Sequence, residues 1–295
     1  MTTAELGFLL LCCDIADGLP PLTLHRLELL RRRMQAQECS KPDCELDAQA
    51  FEALGYKKEY AAYLSALFAR EEALDTYLTL GAQRQCYPLT CVSDGFPPLR
   101  ARLGTRCPAV LFYRGDLSLL QAKRITLVGS RQLSEQGRAF AERIGQLAAK
   151  EGYTLVSGNA RGADKTAQDA CLAHGGSVIS VVSEPLYALP QPDERMLYLA
   201  ESGWHQEFTP ARALSRNRLI HALGERSFVA QCAPGSGTRK GAEDALKHGI
   251  APVFVHKDGT KEAEALASLG AALICLDSLQ TLDCSEENQT VFFRS

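Results

Sequence analysis

From Arg124 to Cys275 short apolar runs alternate with amphipathic stretches of helical length, and this rhythm limits the possible folds more than any single motif does. Residues 125–128, 153–156, 177–182, 228–230, 253–255 and 272–275 read as strands, and 134–150, 164–174, 238–248 and 263–269 read as helices. Strands that alternate with helices predict a parallel sheet, because each parallel return must cross back over the sheet. The crossing helices then cover both faces. The expected fold class is α/β, an extended Rossmann-like, mostly parallel sheet with helices on both faces.

The chain before this region follows a different period. Residues 5–80 place apolar side chains three and four apart, as in Leu27, Leu30 and then Tyr60, Tyr63, Leu64 and Leu67, with breaks at Gly18-Leu19-Pro20-Pro21 and at 39–43. This predicts a small all-helical N-terminal domain. Between them, 86–115 carries Pro88, Pro97, Pro98 and Pro108 and an apolar strand at 109–113 that ends at Gly115. So many large apolar residues suit a connector packed against the next domain. The expected division is a helical domain at 1–85, the Rossmann-like domain at 86–285 and a tail at 286–295, consistent with a 295-residue chain holding two domains.

Composition narrows the function classes. A net charge of −3 excludes a protein that adheres to nucleic acid through a generally basic field, so any polyanion site must be local. Eleven scattered cysteines, an odd number, do not form a disulfide framework, and Cys39 and Cys44 lack a second pair or histidine at zinc spacing. Buried thiols in a reducing cytosol are expected, with no metal. The apolar run at 8–13 follows Glu5 without a basic residue and is too short to span a bilayer, which points to a cytoplasmic location without a membrane role.

The turns carry the chemistry. Gly129-Ser130-Arg131, Ser157-Gly158-Asn159-Ala160-Arg161-Gly162 and Gly235-Ser236-Gly237-Thr238 each follow an apolar run and precede a helical stretch. At the carboxyl edge of a parallel sheet, helix amino termini offer free N–H groups to an anion. Arginine adds two parallel donors that fit a phosphate. Asp164 is placed to cap the helix after the second turn, with Arg161 and Lys165 at its start. Arg216-Asn217-Arg218 forms a fourth basic element: on an extended segment its arginines project to one side, on a helix they diverge. No turn matches the Walker lysine motif or the complete dinucleotide fingerprint, so no nucleotide cofactor is expected. His174, His205, Glu184 and Glu207 are the nearest candidates for catalysis, but none has a readable partner, and structural or surface roles are expected for them.

Taken in order, these segments resemble the DNA-processing protein A (DprA/Smf) family. The resemblance covers about residues 86–256: Phe96-Pro97-Pro98-Leu99, 108–115, Val128-Gly129-Ser130-Arg131, 157–164, Gly175-Gly176, Arg216-Asn217-Arg218-Leu219-Ile220 and Ser236-Gly237. It implies a Rossmann-like domain that binds single-stranded DNA in a basic pocket, forms a homodimer, and loads a RecA-type recombinase in natural transformation or recombination, without catalysis. The N-terminal region is similar in size and place to the sterile-alpha-motif-like domain of many members. DNA contacts carry over to Arg131, Arg161, Lys165, Arg216 and Arg218, with Gly129, Ser130, Ser157, Gly158, Asn217, Ser236, Gly237 and Thr238 shaping the pocket. Tyr187, Tyr198, Trp204 and Phe208 are the aromatics available for base stacking.

Five positions depart from the family pattern. Ala163 stands at the usual isoleucine before the aspartate, Gln168 at the usual histidine, Gln231 at the usual acid, and Arg239 and Gly241 at the usual leucine and threonine. Two other functions use the same edge. Pro234-Gly235-Ser236-Gly237-Thr238 is also similar to the turn of LOG-type nucleotide phosphoribohydrolases, one residue short and with the acid displaced to Glu243. A nucleotide-binding sensor that signals through the helical domain is the third reading.

Overall fold

The computed structural model describes residues 1–36, 46–201 and 203–283. The sequence break at 39–43, the Cys39 and Cys44 pair and the tail at 286–295 lie outside the described residues. The chain opens with five helices: α1 (Thr3–Cys12), α2 (Leu24–Ala36), α3 (Ala48–Ala53), α4 (Lys58–Phe68) and α5 (Glu71–Gln83). Thr2 and Glu5 form a reciprocal capping box at the start of α1. Leu9, Phe51, Leu64, Leu67 and Leu74 are fully buried where the helices meet. Arg70 closes this unit: buried, it donates to Leu10 O and Cys13 O at 2.8 Å each and pairs with Asp17 at 3.1 Å. Leu10 O is one of the carbonyls that the end of α1 leaves without a helical partner.

A mixed α/β region follows, with β1 (Tyr87–Thr90), α6 (Leu99–Leu103), β2 (Val110–Gly115), β3 (Arg124–Val128), α7 (Glu135–Lys150), β4 (Thr154–Ser157), α8 (Ala163–Ala173), β5 (Ser177–Val181) and β6 (Met196–Glu201). It continues through α9 (Pro210–Leu223), β7 (Ser227–Val229), α10 (Gly237–Lys247), β8 (Val253–His256), α11 (Lys261–Ser268) and β9 (Ala272–Ile274). The nine strands form one sheet in the order β1-β2-β6-β5-β4-β3-β7-β8-β9. All pairings from β6 to β9 are parallel; β2 joins β6, and β1 joins β2, antiparallel. This is an extended Rossmann-like sheet.

Helices cover both faces. On one, Phe140, Ile144, Leu147 and Ala148 of α7 and Ala167 and Cys171 of α8 pack on Ile125, Leu127 and Leu155. On the other, a continuous core runs from Leu9 and Leu64 of the helical region through Leu111 and Phe112 to Leu219, Ala242 and Leu266. The helical region is therefore packed directly on the sheet, and the Tyr77 and Trp204 rings, stacked 5.1 Å apart, join α5 to the segment after β6.

Three features go beyond the sequence pattern. The 86–115 connector is itself sheet, since β1 and β2 supply its antiparallel edge. β6 is buried nearly throughout, so it lacks the alternation that marks a half-exposed strand. α9 is a helix of 14 residues whose start is signalled by the Thr209 cap and Pro210 in its first turn. It carries the chain back across the sheet from β6 to β7, leaving β3 between β4 and β7 at the point where the strand order reverses. Ligand crevices open at such a point.

Gly145 of α7 sits so close to α8 that an added Cβ would overlap the Ala167 carbonyl. Gly145→Ala should therefore lower stability by about 1–3 kcal/mol despite alanine's better helix propensity, read as a fall in the urea midpoint with unchanged slope.

Candidate functional site

A cleft of about 540 Å³ opens at the carboxyl ends of β3 and β7. Its walls are Gly129, Ser130 and Arg131 after β3, Ala160 and Asp164 beside β4, Ser236, Gly237 and Thr238 at the start of α10, and Arg216, Asn217, Ile220 and His221 of α9. Phe208 and Leu214, both about 43% exposed, stand at its rim.

Tight backbone contacts hold the loops together. Ser130 N–H donates to Gln231 O at 2.8 Å, and Ala163 N–H to Ser130 O at 3.1 Å. The Thr238 hydroxyl donates to Gly129 O at 2.9 Å, and Asn217 Nδ2 to Gly237 O at 3.0 Å. Gly162, at φ 90°, packs its α-carbon face on the Ser130 and Arg131 backbone, so both a left-handed conformation and a close approach require glycine there. Gln231 accepts from Ser134 N–H at 2.9 Å, so the residue at the family's acidic position braces the first loop as a neutral acceptor.

Arg216 is the centre of the cleft. It is 8% exposed, lies against the bare α-carbon of Gly158, and its Nε has no hydrogen-bond partner. A Cβ at Gly158 would occupy the place of the guanidinium. Burial lowers the Arg216 pKa, while Asp164 and Glu184 favour its charge. Asp164, also buried, does not cap α8: it is the second residue of that helix, and its Oδ2 accepts N–H from Gly158 at 3.1 Å and Ala160 at 3.3 Å. Burial pushes its carboxyl up to about 6, against the pull of Arg216 and those N–H groups. The Ser236 side chain caps α10 at Arg239 N–H, which leaves Gly237 and Thr238 N–H without partners among the described residues, facing the cleft with the positive end of the helix dipole. Arg131 is exposed and makes no ion pair among the described residues. A buried guanidinium with an unmet donor, a free arginine and an open helix start can hold phosphate oxygens.

Not every expected residue reaches this place. Arg216 and Arg218 sit on α9, about 200° apart around the helix, so the two do not face one ligand. Arg218 turns to the far side, where it pairs with Glu201 at 2.7 Å and donates to Arg106 O. Ser157 is fully buried and accepts from Gln168 Nε2 at 2.6 Å, so it supports the loop from beneath. Arg161 and Lys165 are exposed at the start of α8 outside the cleft, and Lys165 pairs with Asp169 at 2.9 Å. Arg239 is held by Glu243 at 2.8 Å, and Gly241 lets α10 approach Asn217 and His221. Tyr198 and Trp204 are buried and closed to stacking, whereas Phe208 is open.

The four candidate catalytic residues are spent on structure or lie at the surface. His205 Nδ1 is 2.8 Å from the Tyr77 hydroxyl, His174 is beside Ala170 O at the end of α8, Glu184 accepts from Ser183 N–H, and Glu207 is exposed. The sequence reading missed His221, buried in the cleft wall against Ser227 at 2.6 Å, where burial lowers its pKa to about 4. Reading Thr209-Pro210 as a helix start would have placed it one turn beyond Asn217. A larger cavity of about 750 Å³, between α2 and α9, is lined by the Arg106–Asp244 and Arg218–Glu201 pairs, so much of its charge is neutralised internally. The described residues contain no group of side chains that could hold a metal ion.

The sequence profile of the DNA recombination-mediator protein A family matches residues 88–282, from β1 to the end of the described sheet region. The chain belongs to this family. The DNA processing protein DprA of Streptococcus pneumoniae is 33% identical over 179 residues, 58% of this chain and 63% of that protein. Protein Smf of Escherichia coli is 31% identical over 196 residues, 62% of this chain and 52% of its own length. The matches thus span less than two thirds of these relatives. The X-ray structure of S. pneumoniae DprA superposes with a TM-score of 0.71 at 24% identity, over 93% of this chain and 95% of that one. A structure of DNA processing protein A from Helicobacter pylori, described for its single-stranded DNA binding mode, superposes with a TM-score of 0.55 at 24% identity, over 64% and 90%. At that identity both speak for the fold.

The buried acid and histidine pull pH dependence in opposite directions. Asp164, raised in the folded state, binds a proton that the unfolded chain does not, so it adds stability as pH falls from 7 toward 4. His221, lowered to about 4, loses stability over the same interval, because the unfolded imidazole protonates first. Asp164→Asn keeps an oxygen for Gly158 and Ala160 but removes the offset. The variant should lose about 1 kcal/mol more than the parent between pH 7 and pH 5 in urea titrations.

Proposed function

We propose that this chain is a non-enzymatic, single-stranded DNA binding protein that acts in DNA processing and recombination. The carrying observation is the convergence of Arg216, Arg131 and the free N–H groups of Gly237 and Thr238 on one cleft in an otherwise acidic protein. Phosphates meet the cationic and amide donors, and Phe208 at the rim offers a face to a base. A single strand, whose bases can splay, can present its phosphates to the donors and a base to Phe208 together. The single-stranded DNA binding named for the H. pylori relative agrees with this use of the fold.

The same reading extends to a cytoplasmic homodimer that delivers single-stranded DNA to a RecA-type recombinase, with 1–85 as a helical unit appended to an 86–285 DNA-binding unit. No described helix is long and apolar enough to cross a membrane. Binding is favoured over nucleotide hydrolysis because Glu243, the acid that the hydrolase reading needs, is held by Arg239.

Anisotropy titration with labelled oligo-dT should show affinity that falls steeply between low and physiological salt, as released counterions require. Arg131→Ala, an exposed change, should weaken binding about tenfold and reduce the salt slope by about one phosphate. Absence of binding at low salt would end the proposal. Incubation with AMP should release no adenine; release would transfer the cleft to the hydrolase reading.

A further inference from the structure

A second recess, of about 390 Å³, lies where α5 ends against the segment after β5. It is lined by Gln83, Arg84, Gln85, Arg114, Tyr187 and Gln191, a set with two cations, three amides and one aromatic ring and without a carboxylate. The Arg84 guanidinium lies 5.0 Å from the ring centres of both Tyr187 and Trp204, and Tyr187 meets Trp204 edge-on at 5.8 Å. Trp204 is buried, but Tyr187 keeps 41% of its surface exposed. Arg114 fixes this segment, donating to Leu189 O at 2.8 Å and to Gln191 Oε1 at 2.6 Å, while its own Nε is buried without a partner.

We infer that this recess is a second nucleobase site, in which Tyr187 and Arg84 stack an unpaired base and the amides of Gln83, Gln85 and Gln191 meet its edge. The inference rests on the single-strand reading of the cleft and adds the helical region to the DNA path. An exposed ring backed by a cation holds any base by its face, and glutamine amides match donor and acceptor pairs on base edges. With its oxygen engaged by Arg114, Gln191 presents its NH₂ as donor.

Two features connect recess and cleft. Tyr187 and Phe208 lie on the segments that leave the carboxyl ends of β5 and β6, and Trp204 lies between them in the chain. Arg216 lines both the cleft and a small recess at those strand ends with Val182, Ser183 and Arg212; the acid there, Glu201, is held by Arg218. A strand leaving the cleft can thus run past β5 and β6 to Tyr187. Gln85 adds a separate sign. It follows the Arg84 cap of α5 with φ 59°, the left-handed position where glycine is the usual residue, and its amide lines the recess.

The test compares oligo-dT with an abasic sugar–phosphate oligomer of equal length, on the full chain, by anisotropy and by emission of the single tryptophan, Trp204. Tyr187→Ala and Arg84→Ala should each weaken oligo-dT binding about tenfold and leave the abasic oligomer unchanged, and oligo-dT alone should alter Trp204 emission. Gln85→Gly should raise Tm and still weaken oligo-dT binding. This variant keeps the inference testable if Tyr187→Ala unfolds. If the variants bind oligo-dT as the parent does, or if Gln85→Gly raises Tm without loss of affinity, the second site is refuted while the cleft stands. If the parent binds neither oligomer at low salt, the cleft reading fails and this inference with it.

Discussion

The parallel pairing of β3 with β4 on one side and β7 on the other is the constraint on which the site depends. It brings Thr126 opposite both Val156 and Ser227, so the turns after all three strands leave the sheet at one level. Because the strand order reverses there, the helices after β3 and β7 go to opposite faces and their starting turns splay, leaving a crevice. α9 bridges the crevice from the other side. Leu219 and Ile220 anchor it in the core, and Arg216 lies against Gly158, just past the end of β4.

Within this frame one guanidinium is held in an unusual state. Arg216 is nearly buried, yet no carboxylate comes within ion-pair distance of it among the described residues. Desolvation of such a group is costly and is offset when an anion supplies the missing acceptors. Asp164 gives only partial compensation, since its oxygen is already shared by two backbone N–H groups and its carboxyl is itself disfavoured as an anion. The cleft's own side chains thus leave the Arg216 charge only partly compensated. Arg218, two residues away, shows the contrast: with Glu201 as partner, it serves the fold.

Much of the architecture was legible in the sequence because hydrophobic periodicity reports directly on burial. The alternation after Arg124 marked most of the parallel strands and their helices, and the glycine turns marked the edge where a ligand could bind. β6 escaped because a strand buried on both faces has no alternation. α9 escaped because apolar and charged residues surround it on all sides, as expected of a helix packed between sheet, α6 and α10. Missing α9 left the orientation of Arg216 and Arg218 open and hid His221. Arg161 and Lys165 show what a glycine turn leaves open: basic residues beside it can stay on the exposed surface at the start of the helix, outside the cleft.

The alternation of elements, the parallel sheet, the glycine positions and the family could all be read from residues close together in the chain or from their order along it. Which cations share a surface, that Gln231 braces a loop, that Asp164 and Arg216 are buried together and that α5 meets Tyr187 emerged from the folded arrangement. Charge and exposure at the site depend on neighbours contributed by distant segments. Hydrophobic pattern specifies which face of an element is buried, but not which other element will cover it.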